Sequence, residues 1–393
     1  TEAPVEATAR RPWLLAGALL AAAFALLTRR GPGTKRPWHT LGWAVGATVA
    51  CLLLRRAAMP IQFFHQNGQG ALWVTFAVRG DAGPYGPGYP EVFHWAVANA
   101  HRADRALLLA QEVFAACAPV CLYFAARQVS VRPALCWLVG LAVAFDPVLV
   151  RIARSESYLA TGFSLLCFAA ALVPMSVAPR RGLPSRAFAL LAVAMLVTQA
   201  ARVHPLAWLP SALLPLLAFL AAPRRPIRSM FGVALLIGAF VALVTLPTML
   251  ATLRGELGGG FLPGAANIAR NRAPWALAAV TLAGLPLLRW NSRSIEHRAI
   301  ARPLFAVVVV VSAALVGNVL EGDARMVDQA YLHTFSPVLL VAGAALVSLA
   351  PLPLTFLLAL GALAAHGGHD RRLLNVPTDA AEQAFCLEWR ERL

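Results

Sequence analysis

Long runs of Ala, Leu, Val and Phe, separated by short polar stretches, dominate this chain. A helix that crosses a bilayer needs about 20 mostly apolar residues. Runs near that length recur at 13–28, 38–54, 106–126, 133–150, 157–178, 187–203, 206–222, 230–250, 274–288, 303–320, 334–349 and 352–366. They predict twelve transmembrane helices, so the expected fold class is all-α, a polytopic membrane helical bundle. Pro210 and Pro215 interrupt the seventh run, which is compatible with a spanning helix where neighbours satisfy the freed backbone groups.

The connections alternate in character. RRGPGTKR (29–36), RQVSVR (127–132), PRRGLPSR (179–186), PRRPIR (223–228) and RWNSRSIEHRAIAR (289–302) are basic and almost free of acids. If every run spans, they share one side, which the positive-inside rule makes cytoplasmic. The opposite side receives 55–105, the corners 151–156 and 202–205, the loop 251–273, the stretch 321–333 and the tail from 367. Nearly every acid falls there, apart from Glu112 inside a run and Glu296 in a basic loop. Both termini are then extracytoplasmic.

The domain organisation follows. Residues 1–366 form a transmembrane helical domain with extracytoplasmic loops at 55–105 and 251–273, and 367–393 begin an extracytoplasmic soluble segment. Within the first loop, GALWVTFAV (70–78) predicts a short helix lying on the membrane surface. In the tail, Thr378 ahead of Ala-Ala-Glu-Gln has the form of a helix start.

Composition supports the same class. Hydrophobic residues make up 59% of the 393 and charged residues 13%, and the mean hydropathy is +0.66. Soluble domains carry about a quarter charged residues. The net charge of +16 comes in clusters between apolar runs and without a nucleic-acid-binding motif, so the lipid bilayer is the expected partner and nucleic acid is not. Of six Cys, five lie in apolar runs and only Cys386 in a polar segment, which predicts neither a disulfide framework nor a metal pair. Residues 13–28 have the length of a leader's apolar core, but the next run follows with no cleavage-type ending, which predicts a retained helix. Dense Ala, Arg and Pro usage fits a bacterial inner membrane.

Four polar corners fall on the extracytoplasmic side. The first loop holds FFHQNGQG (63–70), with His65, Gln66 and Asn67, and then GDAGPYGPGYPEVFHW, with Asp81, Tyr85, Tyr89, Glu91 and His94. Its Gly-Pro pattern sets sharp turns, because Pro presets φ and Gly accepts positive φ. A stiff loop of this kind holds carboxylates in place for catalysis, or is an ordinary solvated loop. The second corner, FDPVLVRIARSESYLATG (145–162), gathers Asp146, Arg151, Arg154 and Glu156, either an ion-pair cluster or a site for a phosphate. ARVHPLAW (201–208) adds Arg202 and His204, and EGDARMVDQAYLHTFSP (321–337) adds Arg325, Tyr331 and His333. Glu112 within an apolar run is a functional candidate because ionisable groups inside a membrane are costly.

In order and context these segments resemble the GT-C class of integral-membrane glycosyltransferases, which includes the protein O-mannosyltransferases and the aminoarabinose transferases. YGPGYPEVFHW is similar to that class's PPGYP-like entry into a helix, and FDPVLVRIARSESYLATGFSLL to its next conserved segment. ARVHPLAWLP is similar to a tRP-like corner, and QAYLHTFSP to an RY-containing helix start. The resemblance covers most of 55–393. It implies transfer of a sugar from a polyprenyl-phosphate-linked donor to an acceptor at the extracytoplasmic face. Asp81 or Glu91 would be the general base, assisted by His65 and His94. Arg154, Arg202 or Arg325 would hold the phosphate, and Asn67, Tyr85, Tyr89, Glu156, His204 and Tyr331 would complete substrate binding. The pattern specifies no cofactor, and His65 and His94 with the acids are an alternative ligand set for a divalent metal.

The chain also departs from the class. HQNGQG stands where an acidic pair is expected, and Ala330 precedes Tyr331 where Arg is expected. Either Asp81 or Glu91 replaces the missing base, or the chemistry has changed. Alternatives are therefore a lipid-linked polysaccharide ligase or polymerase, a transporter, and a non-catalytic membrane subunit with a membrane protein partner. A transporter should carry more mid-helix polar residues than Glu112 and Gln199.

Overall fold

The computed structural model describes residues 13–27, 37–58, 69–81, 83, 86–129, 132–178, 181–204, 207 and 214. The last six predicted spans, apart from buried Ala207 and Leu214, lie outside these residues, as do the 251–273 loop and the tail. Ten helices follow in order among the described residues: α1 (Trp13–Leu27), α2 (Pro37–Ala58), α3 (Gln69–Arg79), α4 (Gly88–Val97), α5 (Ala103–Ala116), α6 (Ala118–Val129), α7 (Pro133–Phe145), α8 (Pro147–Ala153), α9 (Tyr158–Val177) and α10 (Leu183–Val203). The described part is all-helical; its one β-type pairing is an isolated bridge between Gly83 and Gly86. Four stretches among the described residues are long and apolar enough to cross a membrane: Leu41–Ala58, Ala103–Arg127, Tyr158–Ser176 and Leu183–Val203. The shorter apolar helices α1 and α7 accompany them.

Neighbouring long helices run antiparallel. Gly17 of α1 lies against Met195 of α10, while Ser185 at the other end of α10 donates to the Ala25 carbonyl at 2.6 Å. Gly162 of α9 meets Val203 of α10, and Arg186 donates to the Ser176 carbonyl at 3.3 Å. Gly140 of α7 sits on Pro119, and Trp137 on Tyr123 of α6 with ring centroids 4.9 Å apart. Small residues at these crossings let backbones approach closely, which is how helices associate in lipid. The ends of α7 and α10 and the start of α9 therefore gather at one pole, and the α6–α7 and α9–α10 connections at the other.

The interior is continuous. Leu107, Leu122, Leu165, Leu166, Val193 and Ala200 are fully buried or nearly so. Outward faces stay apolar: Leu41, Val45, Val49 and Leu53 form an exposed stripe on α2, and Leu109 and Val113 another on α5. Exposed Leu at helical spacing on long helices is the surface that lipid requires.

Expected boundaries differ in three places. The run 106–126 is two helices, α5 and α6, meeting at Cys117. The run 133–150 ends early, because Pro147 disfavours a helical Asp146, whose backbone is extended at φ −61° and ψ 120°. The Asp146 side chain then caps α8 by accepting from Leu149 N–H at 2.9 Å. The first loop contains two helices rather than one: α3 covers the predicted 70–78 segment, and α4 is additional.

Candidate functional site at the pole of the bundle

The segment between α3 and α4 is shaped by glycine. Gly80 takes φ +70° and Gly86 φ +128°, both open to Gly at little cost. Gly86 N–H donates to the Gly83 carbonyl at 3.0 Å and closes the turn. The next constraint is steric. A Cβ on Gly88 would lie 2.3 Å from both the Arg202 carbonyl carbon and the Val203 nitrogen, and one on Gly86 would lie 2.7 Å from the Arg202 oxygen. The Gly-Pro-Gly stretch is thus a seat for the backbone at the end of α10.

That seat sets the charges. Arg202 Nε donates to Glu91 Oε2 at 3.0 Å and its Nη2 to Oε1, a two-point pair between α10 and α4. Gln199, one turn earlier, donates to Glu91 Oε2 at 3.2 Å and to the Gly88 carbonyl at 2.9 Å. Two-point Arg–carboxylate contacts are among the strongest polar contacts in proteins and fix orientation.

Tyr89 points the other way, into the bundle. Its hydroxyl donates to the Glu156 carbonyl at 2.9 Å and lies 3.1 Å from Gln111 Oε1. Burial, with Glu156 nearby, pushes this phenol well above its ordinary range, so it remains a donor. Gln111 Nε2 lies 2.7 Å from both the Ser155 and Ser157 carbonyls. Two side chains, Tyr89 and Gln111, thereby collect three successive carbonyls of the turn between α8 and α9. A buried turn needs such donor partners, because an unpaired carbonyl costs about as much as a lost hydrogen bond. The turn carries Arg154 and Glu156, both buried.

Arg154 is itself paired. Its Nη1 donates to Glu112 Oε1 on α5, and Arg56 at the end of α2 grips the same carboxylate from Nε at 3.1 Å and Nη2 at 2.9 Å. Glu112 is 1% exposed, so its charge is tolerated only through these guanidiniums. Arg55, equally buried, donates to the carbonyls of Ala115 at 3.1 Å, Val143 at 3.0 Å and Ala144 at 3.4 Å. These belong to the last turns of α5 and α7, where carbonyls lack helical partners and the helix dipole favours a cation.

An aromatic ladder joins the corners. His204 stacks flat on Tyr158 at 4.9 Å, Tyr158 meets Trp73 of α3 at 4.6 Å, and Trp73 meets Tyr89 at 5.3 Å. The ladder continues through Phe93, Phe114 and Phe168.

The structure therefore brings together Tyr89, Glu91, Arg154, Glu156, Arg202 and His204 from three of the four predicted corners. His94 sits on their edge, with Nδ1 3.0 Å from the Ala77 carbonyl. Asp81 follows Gly80, half-buried, and among the described residues no hydrogen bond or ion pair holds its carboxylate. His65, Asn67, Tyr85, Arg325 and Tyr331 lie outside the described residues. Among the described residues no three His, Cys, Asp or Glu side chains gather as a metal site.

Sequence reading passed over Gln111, Arg55, Arg56 and Trp73. The available signal was Gln111-Glu112 as adjacent polar residues in an apolar run, facing an Arg pair at the end of another; nothing local names the carbonyls they serve. No family model, characterised protein or solved structure matches this chain.

Proposed function

We propose that the protein is a membrane glycosyltransferase of the GT-C type, moving a sugar from a polyprenyl-phosphate-linked donor to an acceptor at the extracytoplasmic face, with twelve spans in the full bundle. One observation carries this reading. The three described segments on which the resemblance rests, remote in sequence, meet at one pole through Gly88 against Arg202, Tyr89 on the Glu156 carbonyl, and Tyr158 on His204.

The geometry favours Asp81 over Glu91 as the base. Glu91 is committed to Arg202 and Gln199, whereas Asp81 is half-exposed beside a glycine turn. Asp81 takes the proton of the acceptor hydroxyl as its oxygen bonds to the sugar's anomeric carbon. The bond from that carbon to the phosphate oxygen breaks, and the phosphate leaves with the electron pair. Arg325, together with the positive ends of the Arg154 and Arg202 pairs, offsets the charge on the departing phosphate. His94, next to the Gly80 turn, orients the Asp81 loop.

The test is release of polyprenyl phosphate by the purified protein in liposomes, offered pentosyl and hexosyl donors. Transfer that falls at least about a hundredfold in Asp81→Asn supports the reading. No turnover of any donor by the unaltered protein sinks it.

A second reading has its own observation. Glu91, Glu112, Arg154 and Arg202 are spent on one another, as in a non-catalytic membrane subunit. That protein would copurify with a stable membrane partner and turn over no donor.

A further inference from the structure

We propose that the lipid-facing seam between α2 and α5 binds the phosphate headgroup of an anionic phospholipid, with Arg56 as the contact. The two consecutive arginines that end α2 have opposite surroundings. Arg55 is buried on helix-end carbonyls. The side chain of Arg56 is 43% exposed; its Nε and Nη2 hold Glu112, and its Nη1 has no partner among the described residues. An arginine whose inner edge is anchored and whose outer donor is open is preorganised for a phosphate oxygen.

Depth and surroundings agree. The apolar stretch Leu41–Ala58 has 18 residues, so at 1.5 Å each it spans about 27 Å, close to the hydrocarbon thickness. Arg56 lies at one end of it, at headgroup level. One turn below it on α2 are the exposed side chains of Leu53 and Leu54, and level with it on the antiparallel α5 is exposed Val113, a surface for acyl chains. Charge supplies the complementarity. The one carboxylate that Arg56 holds is also held by Arg154, so the charge of Arg56 is incompletely neutralised at the seam. A lipid phosphodiester completes that neutralisation without displacing Glu112 from Arg154. This site does not depend on sugar transfer and lies on the bundle's outer flank.

The experiment is native mass spectrometry of the full chain released from detergent, titrated with phosphatidylglycerol or phosphatidylcholine. Arg56→Gln and Arg105→Gln are the variants; Arg105 is exposed on α5, roughly two turns further along the helix from Glu112. The unaltered protein and Arg105→Gln should retain phosphatidylglycerol over phosphatidylcholine. Arg56→Gln should weaken phosphatidylglycerol binding about fivefold, the effect of one interfacial charge, and Arg56→Lys should restore part of it. Equal retention of the two lipids by the unaltered protein overturns the proposal. So does an Arg56→Gln variant that binds as the unaltered protein does, or a loss matched by Arg105→Gln. Unchanged circular dichroism and elution of each variant separate a lost site from a lost fold. Glu112 keeps Arg154 in Arg56→Gln, so no bare buried charge is created.

Discussion

Glu91 on α4 and Arg202 at the end of α10, separated by 111 positions, face each other in a two-point ion pair, with Arg202 Nε 3.0 Å from Glu91 Oε2. The pair latches the short helices of the first loop onto the long-helix bundle. Asp81, His94 and the glycine turn are all carried by the segment it latches.

Removing one partner should therefore cost more than removing both. Arg202→Ala leaves a largely buried carboxylate with only Gln199, and a loss of about 3 kcal/mol is expected. Glu91→Gln keeps a hydrogen-bonding group in place and should cost about half as much. The double variant should lose less than the sum. Thermal unfolding of the four proteins in one detergent gives the coupling energy, and strict additivity would show that the two residues act independently.

Gly88 and Gly46 make opposite predictions. Gly88→Ala drives a methyl into backbone at the end of α10, where neither partner can yield. Loss of the folded protein, or a drop of several kcal/mol, is expected. A Cβ on Gly46 meets nothing within 4 Å. Gly46→Ala should leave stability unchanged or raise it by up to about 1 kcal/mol through helix propensity. A large loss in Gly46→Ala would mean that another helix packs on that face of α2.

Gln111 should matter more than its class suggests. Gln111→Leu keeps the volume but strips the Ser155 and Ser157 carbonyls of a donor. About 2–4 kcal/mol should be lost, since each orphaned buried acceptor costs about 1–3. On the proposed sugar-transfer function, the variant should also weaken donor binding, because the same turn carries Arg154. A Gln111→Leu protein with full stability would show that the turn holds itself.

Labelling reports which pole is which. Thiols introduced at His101 and Gly182 sit at the two opposite poles, so a membrane-impermeant maleimide should modify one in intact cells and the other only after lysis. The positive-inside assignment predicts His101→Cys outside. Protection of His101→Cys with labelling of Gly182→Cys would invert the orientation while leaving the fold untouched. Native Cys51, Cys136 and Cys167 are buried and Cys117 and Cys121 only partly exposed; Cys386, in the polar tail, is first replaced by Ser so that it adds no background.

The arrangement of apolar runs made the helices legible in advance. α2, α9 and α10 coincide with predicted spans, and the shorter α1 with the first apolar run, because a run's length and composition are local properties. The site was legible as a list of corners. Its pairing was not. The two acids offered as interchangeable bases, Asp81 and Glu91, differ in the structure because one lies opposite Arg202 and the other does not. That difference exists only once α4 is seated on α10.

By itself, then, the sequence determined the helical class and the places of the apolar helices among the described residues, since each is written in runs of a few to twenty residues. Only the tertiary structure decided that Glu112 is shared by Arg56 and Arg154, that Arg55 closes the ends of α5 and α7, and that Tyr89 and Gln111 hold the turn before α9. Those choices join residues 42 to 89 positions apart. Helix crossings set them, through backbone approach at small residues and the need of every buried polar group for a partner.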